Sequence, residues 1–173
     1  MKSQKQALLF IFATVLIDVI GIGIIIPVIP SLIQNLSEYT FDDVAWIGSL
    51  LLVAYAGMQF LFAPLVGELS DRFGRRPVLL VALLGLGVDY IFHAFAPTLT
   101  LLFVGRFLAG ILGSSFTVAN SYIADISTKE NKAKNFGVIG AAFGIGFIVG
   151  PVIGGVSAEF WGYRAPFFAA AGL

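Results

Sequence analysis

The chain arranges its apolar residues in blocks of the length that crosses a lipid bilayer, and this leaves few folds open to it. A spanning helix needs roughly 20 mainly apolar residues. Five such blocks run from about 7–32, 44–66, 77–96, 99–122 and 136–156, and a sixth begins near Ala165. Hydrophobic residues make up 58% of the chain and charged ones only 12%. That is about half the charge of an ordinary soluble domain, too little to cover a wetted surface. The expectation is an all-α membrane protein with five complete spans and the start of a sixth, cut off at Leu173. The chain then reads as a fragment. A signal peptide does not suit the first block, which is long, carries Asp18 and is followed by further spans.

The formal charge is zero, but eight of the ten Lys and Arg residues lie on one side; Arg164 lies on the other and Arg106 within a span. Lys2 and Lys5 precede the first span, Arg72, Arg75 and Arg76 follow the second, and Lys129, Lys132 and Lys134 follow the fourth. By the positive-inside rule these segments and the N-terminus are cytoplasmic. The loop 34–43, with Glu38, Asp42 and Asp43, then faces outward. Basic clusters also bind nucleic acid, but here they fit membrane topology, and no nucleic-acid partner is expected. Trp46, Trp161 and Tyr163 read as interfacial anchors. No cysteine is present, which excludes disulfides and thiolate metal sites in this segment.

Two segments repeat at an offset of 87 residues. Phe60, Pro64, Gly67, Ser70 and Phe73 align with Phe147, Pro151, Gly154, Ser157 and Phe160; with one inserted residue, Gly74 and Arg76 then align with Gly162 and Arg164. The first copy leaves its span on the cytoplasmic side and the second on the outer side. The units therefore have opposite orientation, as in a 3+3 inverted repeat.

Three ionisable residues fall inside spans: Asp18, Asp89 and Arg106. Each costs at least roughly 2.5–3.5 kcal/mol at a helix centre, so each needs a partner or a cavity. At about 1.5 Å per residue, Asp18 and Asp89 lie roughly 16–18 Å from the cytoplasmic side, and Arg106 roughly 11 Å from the outer side. One layer near the midplane can hold all three. Two readings stand side by side: a buried Asp–Arg pair that locks helices, or a polar cavity in which a carboxylate exchanges protons or meets substrate. Gly110, Gly113, Thr117 and Asn120 follow Arg106 at helical spacing, beside Ser114 and Ser121. They extend the cavity face or serve as packing glue. His93, near the outer loop, reads as an interfacial cap rather than a proton carrier.

The loop from Gly67 to Pro77 contains Gly67, Asp71, Arg72, Gly74, Arg75 and Arg76. Gly67 is expected to allow a close helix approach, Gly74 to relax the turn, and Asp71 to latch a neighbouring helix end or basic residue. This run resembles the signature loop of the major facilitator superfamily. The fourth span, with Gly105, Arg106 and Gly110, resembles that family's arginine motif. Gly146, Gly150, Pro151, Gly154 and Gly155 in the fifth resemble its antiporter motif.

More narrowly, the chain is similar to bacterial tetracycline/proton antiporters. The likeness lies in the first span from Asp18 to Pro30, in Val88, Asp89 and Tyr90, and in Tyr122 to Ser127. It extends from Phe136 to Gly155. The resemblance implies the N-terminal six-helix half of a drug exporter in the bacterial inner membrane, its C-terminal half missing from this chain. It implies alternating access driven by the proton gradient, with Asp18, Asp89 and Arg106 as embedded substrate or proton-coupling residues. Thr117 and Asn120 are further candidates from the spacing. No cofactor is expected; a divalent metal would arrive chelated by the drug. Alternatives are another multidrug or metabolite antiporter, and a non-transporting sensor or degenerate half-protein. A membrane enzyme is disfavoured, since no nucleophile–base pair or metal-ligand set is present.

Overall fold

The computed structural model describes residues 2–36 and 40–173, so Glu38 of the acidic loop lies outside the described residues. Among them the chain is entirely helical: α1 (Lys2–Ile25), α2 (Ile29–Leu36), α3 (Phe41–Phe73), α4 (Arg75–Phe95), α5 (Leu99–Leu112), α6 (Ser115–Ile126), α7 (Lys132–Trp161) and α8 (Ala165–Ala171). Five stretches are long and apolar enough to cross a membrane, with α5 and α6 together forming one of them. α3 has 33 residues. At 1.5 Å each it is about 50 Å long, well beyond the hydrocarbon thickness.

Two of the apolar blocks are interrupted. The first, 7–32, is not one helix: it breaks at residues 26–28, between α1 and α2. Pro27 lacks the amide proton a helix needs, and Pro30 sits in the first turn of α2, where that loss is harmless. The second break lies at Gly113 and Ser114, between α5 and α6. There the Gly113 amide still donates to Ala109 O at 2.7 Å, while Thr117 donates to Ser114 O in a tighter turn at 3.1 Å.

Asp42 and Asp43 are not loop residues, as their place in an outer loop implied, but occupy the first turn of α3. Thr40 caps that helix: its backbone N–H donates to Asp43 Oδ2 at 3.1 Å, and Asp43 N donates to Thr40 Oγ1 at 3.3 Å. This reciprocal pair satisfies two otherwise orphaned amides, and the acidic side chains complement the helix dipole.

The two copies of the repeat share local features. α3 and α7 each carry an internal proline, Pro64 and Pro151. Ser70 Oγ donates to Gly67 O at 2.7 Å, while the equivalent Ser157 hydroxyl donates to Ile153 O at 2.7 Å with Gly154 O further off at 3.1 Å.

α1 packs most extensively on α7, and α3 on α5. Glycines make the α1–α7 contact possible. A Cβ on Gly150 would stand 2.8 Å from Gly23 Cα, and one on Gly154 would strike Ile24 O. Gly146 faces Val19 in the same way. These three lie at intervals of four residues, so they line one face of α7 and bring two backbones together. Gly155 of the same motif has nothing within 4 Å of its Cβ position. Nor has Gly67, so among the described residues no helix approaches it, contrary to the role expected of it. Large apolar side chains such as Phe60, Leu84 and Ile148 point outward, as do Trp46 and Trp161 at the end remote from the basic loops.

Candidate functional site

The three intramembrane charges are buried: Asp18 on α1, Asp89 on α4 and Arg106 on α5. Asp18 lines one cavity with Tyr55 of α3 and another with Tyr90 of α4, the neighbour of Asp89, and Arg106 reaches Asp89 through His93. A shared polar layer is therefore present, but its wiring differs from a simple ion pair. Among the described residues Arg106 makes no salt bridge to either aspartate. Its Nε donates to His93 Nε2 at 3.1 Å. His93 Nδ1 in turn lies 2.9 Å from Asp89 O, one turn back on the same helix.

The Asp89 carboxylate Oδ2 is also close to His93 Nδ1, at 3.1 Å. It lacks hydrogen-bond geometry there, and both Asp89 carboxylate oxygens are without a hydrogen-bond partner. The N–H therefore points to the carbonyl, and the carboxylate stands beside it within Coulomb range. His93 is only 2% exposed, so it is no interfacial cap. Its ring stacks on Phe167 of α8, with centroids 5.9 Å apart and planes within 2°. Gly105 makes the space, because a Cβ there would fall inside van der Waals contact of three imidazole atoms.

Asp18 accepts a hydrogen bond from the Ser115 hydroxyl on one oxygen; its other oxygen is buried and unpartnered. Ser115 opens α6 just past the helix break, which is how α6 brings a hydroxyl to α1. Asp18 lies between two cavities. One, of about 150 Å³, is lined by Val15, Tyr55, Gln59, Gly113 and Phe143 among others. The other, of about 360 Å³, lies among α1, α4 and α8 with Tyr90 in its wall. Gln59 Nε2 donates to Gly113 O at 2.5 Å, supplying a partner where the helix ladder is interrupted.

Thr117 and Asn120 are half-buried and stand apart from this wiring; Asn120 donates to Phe116 O of its own helix at 2.9 Å. The helical spacing that linked them to Arg106 assumed an unbroken helix, and the Gly113–Ser114 turn interrupts it. His93, Ser115 and Gln59 were not among the candidates read from sequence. The four-residue step from Asp89 to His93 places both on one face of a helix, and that was the available signal.

The basic run from Gly67 to Pro77, expected as a loop, is helix on both sides of Gly74, and it forms a second cluster. Arg75 contacts three groups: Asp71 Oδ1 at 2.5 Å, Asp125 Oδ2 at 2.9 Å and Ser70 Oγ at 2.5 Å. It ties the end of α3 and the start of α4 to the end of α6. Asp71 thus pairs across the Gly74 turn, from the end of α3 to the start of α4. Arg76 Nε donates to the Tyr122 hydroxyl at 2.8 Å, and its guanidinium lies 5.4 Å from the centre of the Phe10 ring. Arg72 is exposed and lies over Phe73. Gly74 has φ 95°, a conformation open to glycine. In the next loop, the Thr128 hydroxyl and then a backbone amide hold the Glu130 carboxyl below its usual range. No group of three or more metal-binding side chains occurs among the described residues.

A model of the Major Facilitator Superfamily matches residues 11–173. The chain belongs to this superfamily. It is 48% identical over its whole length to the class C tetracycline resistance protein of Escherichia coli, and covers 43% of that protein. It is 32% identical to multidrug resistance protein 2 of Bacillus subtilis, over 99% of the chain and 42% of the relative. The human organic anion transporter MFSD10 (TETRAN) shares the fold, with a TM-score of 0.77 at 22% identity, over 97% of this chain and 46% of that one. The chain thus spans less than half the length of these proteins. As a superfamily member it is a multi-pass membrane protein of a transporter family, not an enzyme.

Proposed function

We propose that this chain is the N-terminal half of a proton-coupled drug exporter whose substrate is tetracycline, carried as its divalent-metal chelate. The likeness to the class C tetracycline resistance protein over the whole chain carries this reading. The buried layer of Asp18, Asp89 and Arg106 supplies the chemistry: carboxylates out of water, each with an unpartnered oxygen, next to a fixed cation. Such groups exchange protons when access changes sides. Thr117 and Asn120 add polar lining further along α6. Arg75, Asp71 and Asp125 close the basic end, and opening that end requires these contacts to separate. The family's other half would complete the path, with the N-terminus in the cytoplasm of a bacterial inner membrane.

The test is energy-dependent tetracycline efflux from drug-sensitive bacteria that express the full-length parent gene, with and without a protonophore. Protonophore-sensitive efflux that is lost in Asp71→Asn and Asp89→Asn, at normal membrane levels, supports both function and sites. Robust expression without tetracycline movement removes this substrate. The likeness to multidrug resistance protein 2 then favours a broader range of drugs.

A further inference from the structure

His93 is a buried titratable group that the proposed cycle does not use. The hydrogen-bond pattern defines its state: with Nδ1 donating to the Asp89 carbonyl, Nε2 is left as the acceptor for Arg106 Nε–H. The imidazole is therefore neutral and lies between the Arg106 guanidinium and the Asp89 carboxyl group. On either side of it, capacity goes unmet. Arg106 Nη2 and both carboxylate oxygens of Asp89 are buried without partners. A direct guanidinium–carboxylate contact would satisfy both and is among the stronger side-chain pairings. What occupies the gap is the imidazole, stacked on Phe167 and admitted by the absence of a side chain at Gly105.

We propose that His93 is a positioning residue, a neutral spacer that keeps Arg106 from closing on Asp89 and so leaves that carboxylate free to take up and release a proton. This rests on Asp89 being a coupling carboxylate, as proposed above. The helices packed on α4 are α1, α3, α5, α6 and α8. Toward this site α1 brings Asp18, α3 brings Tyr55 and α5 brings Arg106, while Tyr90 stands on α4 itself. The titratable residues of α6, Tyr122 and Asp125, are engaged with Arg76 and Arg75 at the basic end. α8 has no titratable side chain. The spacer thus acts chiefly on a single contact, Arg106 with Asp89.

Three variants of the full-length protein test this. In His93→Gln the amide oxygen can still accept from Arg106 and hold it off. In His93→Met that acceptor is gone. In His93→Asn the amide is too short to reach Arg106, and this variant decides the matter where Met does not reach the membrane. A guanidinium that closes on the carboxylate favours its ionised form, so Met and Asn should move the pH profile of export toward acid by about one unit or more, with Gln close to wild type. Infrared titration of the purified protein, with the carboxyl band assigned by its loss in Asp89→Asn, should show the same acid shift. A Met or Asn variant whose infrared midpoint matches wild type overturns the proposal, as does a Gln variant that shifts as far as Met. Absence of proton-driven export would instead remove the coupling role, and the infrared result would still decide the spacer.

Discussion

Gly74 and Gly162 hold nearly the same backbone conformation at equivalent points of the two repeat units: φ 95° and ψ 146° at one, φ 86° and ψ 167° at the other. They are the positive-φ residues among those described. Each ends a long proline-containing helix and turns the chain into the next one. A Cβ at such angles meets the backbone, at a cost of order 1–3 kcal/mol. Gly74→Ala and Gly162→Ala in the full-length protein should each lower the thermal unfolding temperature in detergent. No neighbour crowds Gly162, so a loss there isolates backbone strain from packing. An unchanged melting temperature in Gly162→Ala would remove the strain argument.

The glycine run of α7 should divide by face. Gly150→Ala places a methyl 2.8 Å from Gly23 Cα, and Gly154→Ala drives one onto Ile24 O. Backbone cannot yield as a side chain can, and overpacking of this kind costs about 1–3 kcal/mol. Both variants should lose stability and membrane yield. Gly155→Ala meets nothing among the described residues and should be milder, within about 0.5 kcal/mol as a surface change. Equal losses at Gly154 and Gly155 would mean that another part of the full-length protein packs on the outer face.

The difference between Gly154 and Gly155 marks how far the sequence was legible. Block length and charge asymmetry were enough for the helical membrane fold, because bilayer thickness and the cost of buried charge act on every residue of a span. The motif glycines identified the family but not which of them touch another helix. That depends on the rotation of α7 about its axis, which a run containing glycine on several faces does not encode. Asp18, Asp89 and Arg106 were legible as charges out of place. His93 was not, because a lone histidine near a span end is an ordinary sight; the space that Gly105 opens opposite it exists only once α4 and α5 are packed. Asp125 joined the basic cluster only when the fold brought it to Arg75, 50 residues away.

Ser115 should matter to Asp18 more than Thr117 does. Ser115→Ala removes the one hydrogen bond that the buried Asp18 carboxylate accepts, leaving both oxygens unpartnered. Stranding a buried acceptor costs about 1–3 kcal/mol, more for a charged group. The full-length variant should melt earlier, and combining it with Asp18→Asn should recover part of the loss, since the two changes act on one contact. Thr117→Ala should show no such coupling. Additive losses in the Ser115/Asp18 pair would mean that the hydroxyl does not support the carboxylate.

Arg75 should behave as a hub and Asp71 as a spoke. The Asp71 side chain is 64% exposed, and exposed ion pairs contribute about 0–1 kcal/mol. Asp71→Asn should therefore leave the melting temperature almost unchanged, whatever it does to transport. Arg75→Lys keeps the charge but loses the planar fork that reaches Asp71, Asp125 and Ser70 together. It should destabilise the protein more than Asp71→Asn and Asp125→Asn together. A lysine variant as stable as wild type would show that charge alone suffices.

Gln59 should hold the break between α5 and α6. Its amide donates to Gly113 O, at the turn where the helix ladder is interrupted. In a membrane interior no water replaces that donor, so the carbonyl depends on the side chain. Gln59→Leu removes the donor and should cost about 1–3 kcal/mol. Gln59→Glu tests the sign of the interaction: a carboxylate repels the carbonyl oxygen, and a protonated carboxyl can donate to it. The Glu variant should thus be less stable than wild type at neutral pH and approach it as the medium is acidified. Gln59→Leu should show no such recovery, because it has no proton to gain. Melting temperatures of the three proteins across a pH series separate these outcomes. A Leu variant as stable as wild type throughout would mean that the turn at Gly113 and Ser114 stands without its cap.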